Sequence, residues 1–132
     1  MTIIDTSAWI EFFRKKGSLE YKSRVAELIS ARTAAYTCPI RYELFLGARP
    51  EEVPMLEQGL GFSVRITTNE SHWDKAARCG AALRAKGLNF PSLDILIAAV
   101  AHSEKVPLLA KDAHFETIRQ HVLPELKLLL LI

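Results

Sequence analysis

The chain has 132 residues, the size of one ordinary domain and enough to bury roughly two-thirds of the surface it would expose unfolded. Hydrophobic residues make up 49% and charged residues 24%, with six Gly and six Pro, which excludes a disordered or low-complexity chain. A net charge of +2 neither announces nor excludes a nucleic-acid partner, because local distribution matters more than the total.

Thr2-Ile3-Ile4 is a short β-branched run that reads as a buried strand ending at Asp5. Thr6 or Ser7 can cap a following helix whose apolar face holds Trp9, Ile10, Phe12 and Phe13, and Gly17-Ser18 ends it. A second helix begins near Leu19 or Glu20, with Tyr21, Val25, Leu28 and Ile29 close to helical period. Ala34 to Thr37 reads as a strand, and Pro39 opens a short helix through Leu46 that Gly47 stops. A helix follows from about Glu51 to Gln58, with Gly59 and Gly61 as punctuation. Phe62 to Thr67 alternates as a strand, and Thr68 or Asn69 caps a long helix to about Lys86, ended by Gly87. Ser92 caps the next helix, whose body Ile95 to Ala101 is apolar on every side, as in a helix buried all round. Val106 to Ala110 is a buried strand, Phe115 to His121 a short helix, and Leu126 to Ile132 a final strand.

Alternating strands and helices imply an α/β domain, with helices on both faces of a central, mostly parallel sheet. No repeat or linker divides residues 1–132, so one domain is expected. Cys38 and Cys79 lack a CxxC partner or paired histidines, and two buried free thiols in a reducing cytoplasm are the expected state. No basic leader precedes Asp5, which argues against a signal peptide, and the closing apolar run is far short of the ~20 residues that a membrane span needs.

Four carboxylates stand out. Asp5 and Asp112 each follow a strand, at the sheet edge where open parallel sheets bind ligands. Asp94 lies in the first turn of the most apolar helix, and Glu43 lies among Tyr42, Leu44, Phe45 and Leu46. Singly, each has a local explanation: Asp5 and Asp112 as helix caps, Asp94 on a helix dipole, Glu43 facing solvent. Together they would repel one another and raise their own pKa values, a conflict that a divalent cation resolves. Mg²⁺ and Mn²⁺ take hard oxygen ligands and can activate water, orient a phosphate and neutralise a leaving oxygen.

These residues carry a resemblance. Ile3-Ile4-Asp5-Thr6-Ser7 with Ala8-Trp9, Glu43 in Arg41-Tyr42-Glu43-Leu44, Asp94-Ile95-Leu96-Ile97-Ala98-Ala99 and Ala110-Lys111-Asp112-Ala113-His114-Phe115 resemble, in order, the motifs of PIN-domain nucleases. Within that superfamily the chain is similar to the VapC toxins of prokaryotic toxin–antitoxin pairs. The resemblance implies an α/β/α sandwich and RNA cleavage with Mg²⁺ or Mn²⁺. It also implies a homodimer, and silencing by a VapB antitoxin seated in a hydrophobic groove. Carried over, Asp5, Glu43, Asp94 and Asp112 become the metal cage, with Thr6 and Ser7 as hydroxyls that orient Asp5. Some relatives have a further acid where this chain has His114, a position that ranges from weak ligand to surface residue; the surface is the expectation. The competing reading is a catalytically idle PIN-like module acting through its antitoxin, which mutually repelling acids disfavour.

Arg41, Arg49 and Lys111 lie near the motif carboxylates and are expected to contact RNA phosphate. Arg14, Lys15 and Lys16 read as a solvated helix end, with a phosphate contact as the alternative. Trp9, Phe12, Phe13, Tyr42 and Phe45 divide between core and antitoxin groove, the core being favoured. His72 and His102 have no ligand-like spacing, and no role is assigned to them.

Overall fold

Five short strands, β1 (Thr2–Ile4), β2 (Ala34–Thr37), β3 (Val64–Ile66), β4 (Leu108–Ala110) and β5 (Leu128–Leu130), form one parallel sheet in the order β3-β2-β1-β4-β5. The computed structural model describes residues 1–131, so the end of the expected Leu126 to Ile132 strand, Ile132, lies outside them. The registers place Ile3 beside both Ala35 of β2 and Leu108 of β4. β1 is therefore central, and the chain moves first to one side of it and then to the other. Such a reversal opens a crevice beyond the strand ends, here between β1 and β4.

The helices are α1 (Thr6–Phe13), α2 (Leu19–Ser30), α3 (Cys38–Leu46), α4 (Val53–Gly61), α5 (Glu70–Ala85), α6 (Ser92–Glu104) and α7 (His114–Val122), with a 3₁₀ turn at Pro50–Glu52. Right-handed crossovers to opposite sides of β1 put α1 and α2 on one face of the sheet and α5 and α6 on the other. α1 packs on α2 and α3, and α6 packs on α5 and α7. Asp94 to Ala101 of α6 are all buried, as its unbroken apolar run predicts. The core continues through Ile3, Ile4, Trp9, Tyr21, Leu83, Leu108, Leu109 and Phe115. Tyr21 pins two strand ends: its hydroxyl donates to Ala110 O at 2.6 Å and accepts from Leu131 N–H at 2.9 Å.

Local chemistry sets most boundaries, and several differ from expectation. Ser18 caps α2 through Tyr21 N–H, and Asn69 caps α5 through His72 N–H. Ser92 is not a cap: Pro91 takes that place, and Ser92 is the first helical residue. Gly59 and Gly61 do not punctuate but complete α4, because a Cβ at Gly59 would stand 2.9 Å from the Phe13 ring and its absence lets α4 approach α1. The end strands are shorter than the apolar runs that announce them, and β3 is largely exposed at the sheet edge. Cys38 is exposed rather than buried; Cys79 is buried, and neither forms a disulfide. Trp9 is core, Phe12, Phe13 and Phe45 pack against the core, and Tyr42 is exposed. Among the described residues, no helix is long and apolar enough to cross a membrane.

Candidate metal centre

Asp5 leaves the end of β1 while its backbone N–H still bonds to Leu109 O of β4 at 2.9 Å, which fixes it at the crevice between the two strands. It is the N-cap of α1: Oδ2 accepts from Ser7 N–H at 3.0 Å and from the Ser7 hydroxyl at 2.6 Å. Ser7 Oγ also accepts from the backbone N–H groups of Lys111 at 2.9 Å and Asp112 at 3.3 Å. One hydroxyl thus ties the cap of α1 to the loop that carries Asp112. The helix-cap reading of Asp5 is realised through Oδ2. Oδ1 has no partner, although Asp5 is only 3% exposed.

The other three acids arrive from three further elements. Glu43 comes from α3, and Thr6 Oγ1 donates to its Oε1 at 2.7 Å. Asp94 is buried in the first turn of α6, and Asp112 is partly buried between β4 and α7. His114 stands between those two, with Nδ1 3.2 Å from Asp94 Oδ2 and 3.2 Å from Asp112 Oδ1. Its backbone N–H donates to Asp112 Oδ1 at 2.9 Å. One donor atom from each of Asp94, Asp112 and His114 falls within 4.8 Å of the others. His114 was expected at the surface; its ring is half-exposed, but its nitrogen faces the carboxylates because α7 begins beside them.

The electrostatics are those of an uncompensated cluster. Burial pushes the Asp5 carboxyl up to about 7, with repulsion from Asp94 and Glu43 adding to it and the Ser7 hydrogen bonds opposing. Burial likewise raises Glu43, helped by Asp94 and Asp112 and opposed by Thr6. Asp94 is raised by burial and by Asp112, with His114 opposing. Hard oxygen donors, mutual repulsion and one buried orphan oxygen fit a divalent cation. Asp5, Glu43, Asp94, Asp112 and His114 are the residues available to hold it.

The expected phosphate contacts are placed less simply. Lys111 Nζ turns to Glu11 Oε1 at 2.8 Å, Arg41 lies over the Phe45 ring and faces Glu57 at 3.4 Å, and Arg49 faces Glu51 and Glu52 at 3.5 Å. Only Arg49 shares a groove with Glu43, in the company of Arg14. Glu11 is a buried acid that sequence reading passed over; its signal was a lone carboxylate inside the apolar run Trp9 to Phe13. His72 is buried as well, accepting from Asn69 N–H at 3.0 Å and facing Glu104 at 3.2 Å, which makes it a structural part of the α5 cap.

Known proteins resemble this chain in sequence and in fold. The PIN domain family pattern matches residues 2–120. The VapC ribonuclease Mb1587 of Mycobacterium bovis and ribonuclease VapC11 of Mycobacterium tuberculosis are each 32% identical over 123 residues, spanning 89% of this chain and 91% of theirs. Among solved structures, VapBC2 from Rickettsia felis bound to a promoter DNA fragment has a TM-score of 0.79 at 21% identity, covering 99% of this chain and 98% of its own. DNA-bound VapBC from Salmonella typhimurium has a TM-score of 0.79 at 16% identity, covering 97% and 96%. With one family pattern running from β1 into α7 and VapC ribonucleases alike over nearly their full length, the chain belongs to the PIN domain family.

Proposed function

We propose that this chain is a metal-dependent endoribonuclease and the toxin of a VapBC-type toxin–antitoxin pair, with residues 1–132 forming one PIN domain. The observation that carries the reading is the unpartnered, buried Oδ1 of Asp5, a member of a group of carboxylates that no Lys or Arg among the described residues neutralises. A bound Mg²⁺ or Mn²⁺ would supply an activated water and neutralise charge on the phosphate.

The protein's own part is to hold and aim. Asp5, Glu43, Asp94 and Asp112 form the cage. Ser7 fixes Asp5 against the Asp112 loop, and Thr6 fixes Glu43, so each hydroxyl sets the direction of a ligand oxygen. Arg49, beside Glu43 in a groove of about 380 Å³ and 73% exposed, is the best placed of the expected RNA contacts; its neighbours Glu51 and Glu52 stand 3.5 Å away, whereas Lys111 is held at 2.8 Å by the buried Glu11. The same groove is lined by Ile10, Phe13, Leu44, Met55 and Leu56, an apolar seat for a VapB-type antitoxin segment. The named relatives are ribonucleases and the solved neighbours are VapBC complexes, which supports both parts of the reading. A homodimer and a cytoplasmic setting belong to the same proposal, the latter in keeping with two thiols left unpaired.

The test is incubation of antitoxin-free protein with total cellular RNA and Mn²⁺ or Mg²⁺, beside Asp5→Asn, Asp94→Asn and an EDTA control. Discrete cleavage that disappears with EDTA and in both variants is the expected result. Intact RNA with the folded wild type under every metal condition would overturn the nuclease assignment.

A further inference from the structure

We propose that His114 is a direct ligand of the divalent ion through Nδ1, making the centre a mixed nitrogen–oxygen site that favours transition-series ions such as Mn²⁺ over Mg²⁺. The proposal rests on reading the carboxylate cluster as a metal site.

The geometry of the ring is the first support. Nδ1 lies 3.2 Å from an oxygen of Asp94 and 3.2 Å from an oxygen of Asp112. A single ring N–H cannot be aimed well at two carboxylates, whereas a cation between them satisfies the nitrogen lone pair and both oxygens together. Ligands on opposite sides of a small cation held at about 2.1 Å stand about 4.2 Å apart. Donor atoms already within 4.8 Å of one another need little movement to share such an ion. The ring is also held from outside, edge-on to Phe90 at 5.3 Å, while its backbone N–H is bonded to Asp112. The second support is independent of His114. Asp5, which repels Asp94 across the same site, keeps a buried oxygen without any partner in the protein.

The nitrogen has a chemical consequence. Mg²⁺ is bound through oxygen and demands near-ideal octahedral geometry, whereas imidazole is a donor suited to transition metals. An all-carboxylate cage would discriminate weakly between Mg²⁺ and Mn²⁺. A cage completed by His114 discriminates in favour of Mn²⁺ and the metals that follow it.

Pulsed EPR of Mn²⁺ bound to the metal-free full chain tests this directly, with binding constants for Mn²⁺ and Mg²⁺ measured in parallel. The expected spectrum shows a ¹⁴N coupling that is absent in His114→Asn. In that variant Mn²⁺ affinity falls by roughly 10–100-fold, at least what loss of an orienting partner costs, and Mg²⁺ affinity falls less. Bound Mn²⁺ without ¹⁴N coupling, or an unchanged Mn²⁺/Mg²⁺ ratio in His114→Asn, overturns the ligand assignment and leaves the carboxylate site standing. Failure of the folded wild type to bind either ion overturns both. Because the His114 ring is half-exposed, the variant is expected to keep the far-UV circular dichroism of the wild type.

Discussion

Asp5 and Glu11 are both buried, 3% and 4% exposed, and both serve the first helix, yet the protein treats them in opposite ways. Glu11 accepts from Lys111 Nζ at 2.8 Å and Ser18 N–H at 3.0 Å and lies 3.0 Å from Arg14, and Lys111 above all holds its carboxyl below the usual range. Gly17 makes that turn possible, since a Cβ there would stand 1.9 Å from Glu11 O. Asp5 has only hydroxyl and amide donors on one oxygen and no partner on the other, and burial, with repulsion from Asp94 and Glu43, holds its carboxyl up to about 7. Lys111 directly precedes Asp112 in the chain but reaches for Glu11 instead of the cluster. A buried acid that the fold can neutralise is thus neutralised, and among the described residues no Lys or Arg pairs with the four acids at the crevice. The difference separates charge that stabilises the fold from charge that awaits something else.

Two substitutions should separate these acids most strongly. Asp94→Asn should lower RNA cleavage by at least about a hundredfold, the scale on which loss of a preorganised electrostatic group is felt. Its melting temperature in EDTA should hold or rise, because a repelling charge has gone. Glu11→Ala should do the reverse in part, lowering unfolding stability by about 1–3 kcal/mol as Ser18 N–H loses its buried acceptor. The folded fraction of that variant should still bind Mn²⁺. Thermal melts and metal titration of the two proteins side by side measure both effects.

The pH dependence of the metal-free protein has a definite sign. The folded pKa of Asp5 lies above its ordinary value, so its stabilising contribution is fully present below about 4 and is lost as pH rises toward about 7. Glu43 and Asp94 are shifted in the same direction. Glu11 is shifted oppositely, so its contribution is present above its ordinary value and is lost on acidification. Urea unfolding in EDTA should therefore show stability declining by up to a few kcal/mol between mildly acidic and neutral pH. Asp5→Asn should flatten that decline, and a decline unaffected by Asp5→Asn would contradict the account.

The smallest expected effect concerns RNA. Arg49→Met should reduce the salt slope of single-stranded RNA binding by about 0.7, one phosphate contact. Lys111→Met should leave the slope unchanged, because Glu11 already holds that ammonium. An equal loss in both would restore Lys111 as a phosphate contact.

The alternating pattern of strands and helices was legible because each helix has an apolar face and each strand an apolar run; the all-apolar body of α6 marks the buried helix directly. The limits of β4 and β5 were not, since each apolar run begins two residues before the paired ladder, which starts at Leu108 and Leu128. Gly59 misled because glycine usually breaks a helix, whereas here it admits the Phe13 ring. Asp5, Glu43, Asp94 and Asp112 could be singled out from strand ends and apolar surroundings. What sequence could not supply was the direction of side chains: Lys111 turning to Glu11, and His114 turning inward to Asp94 across the start of α7.

The most direct measurement is the melting temperature of the metal-free chain at neutral pH as Mn²⁺ is added, for wild type, Asp5→Asn and Asp94→Asn. The account predicts a rise in the wild type, worth about 2.7 kcal/mol of stability at a hundredfold excess over the dissociation constant, and little or none in either variant. No rise in the wild type, or an equal rise in all three proteins, would contradict it.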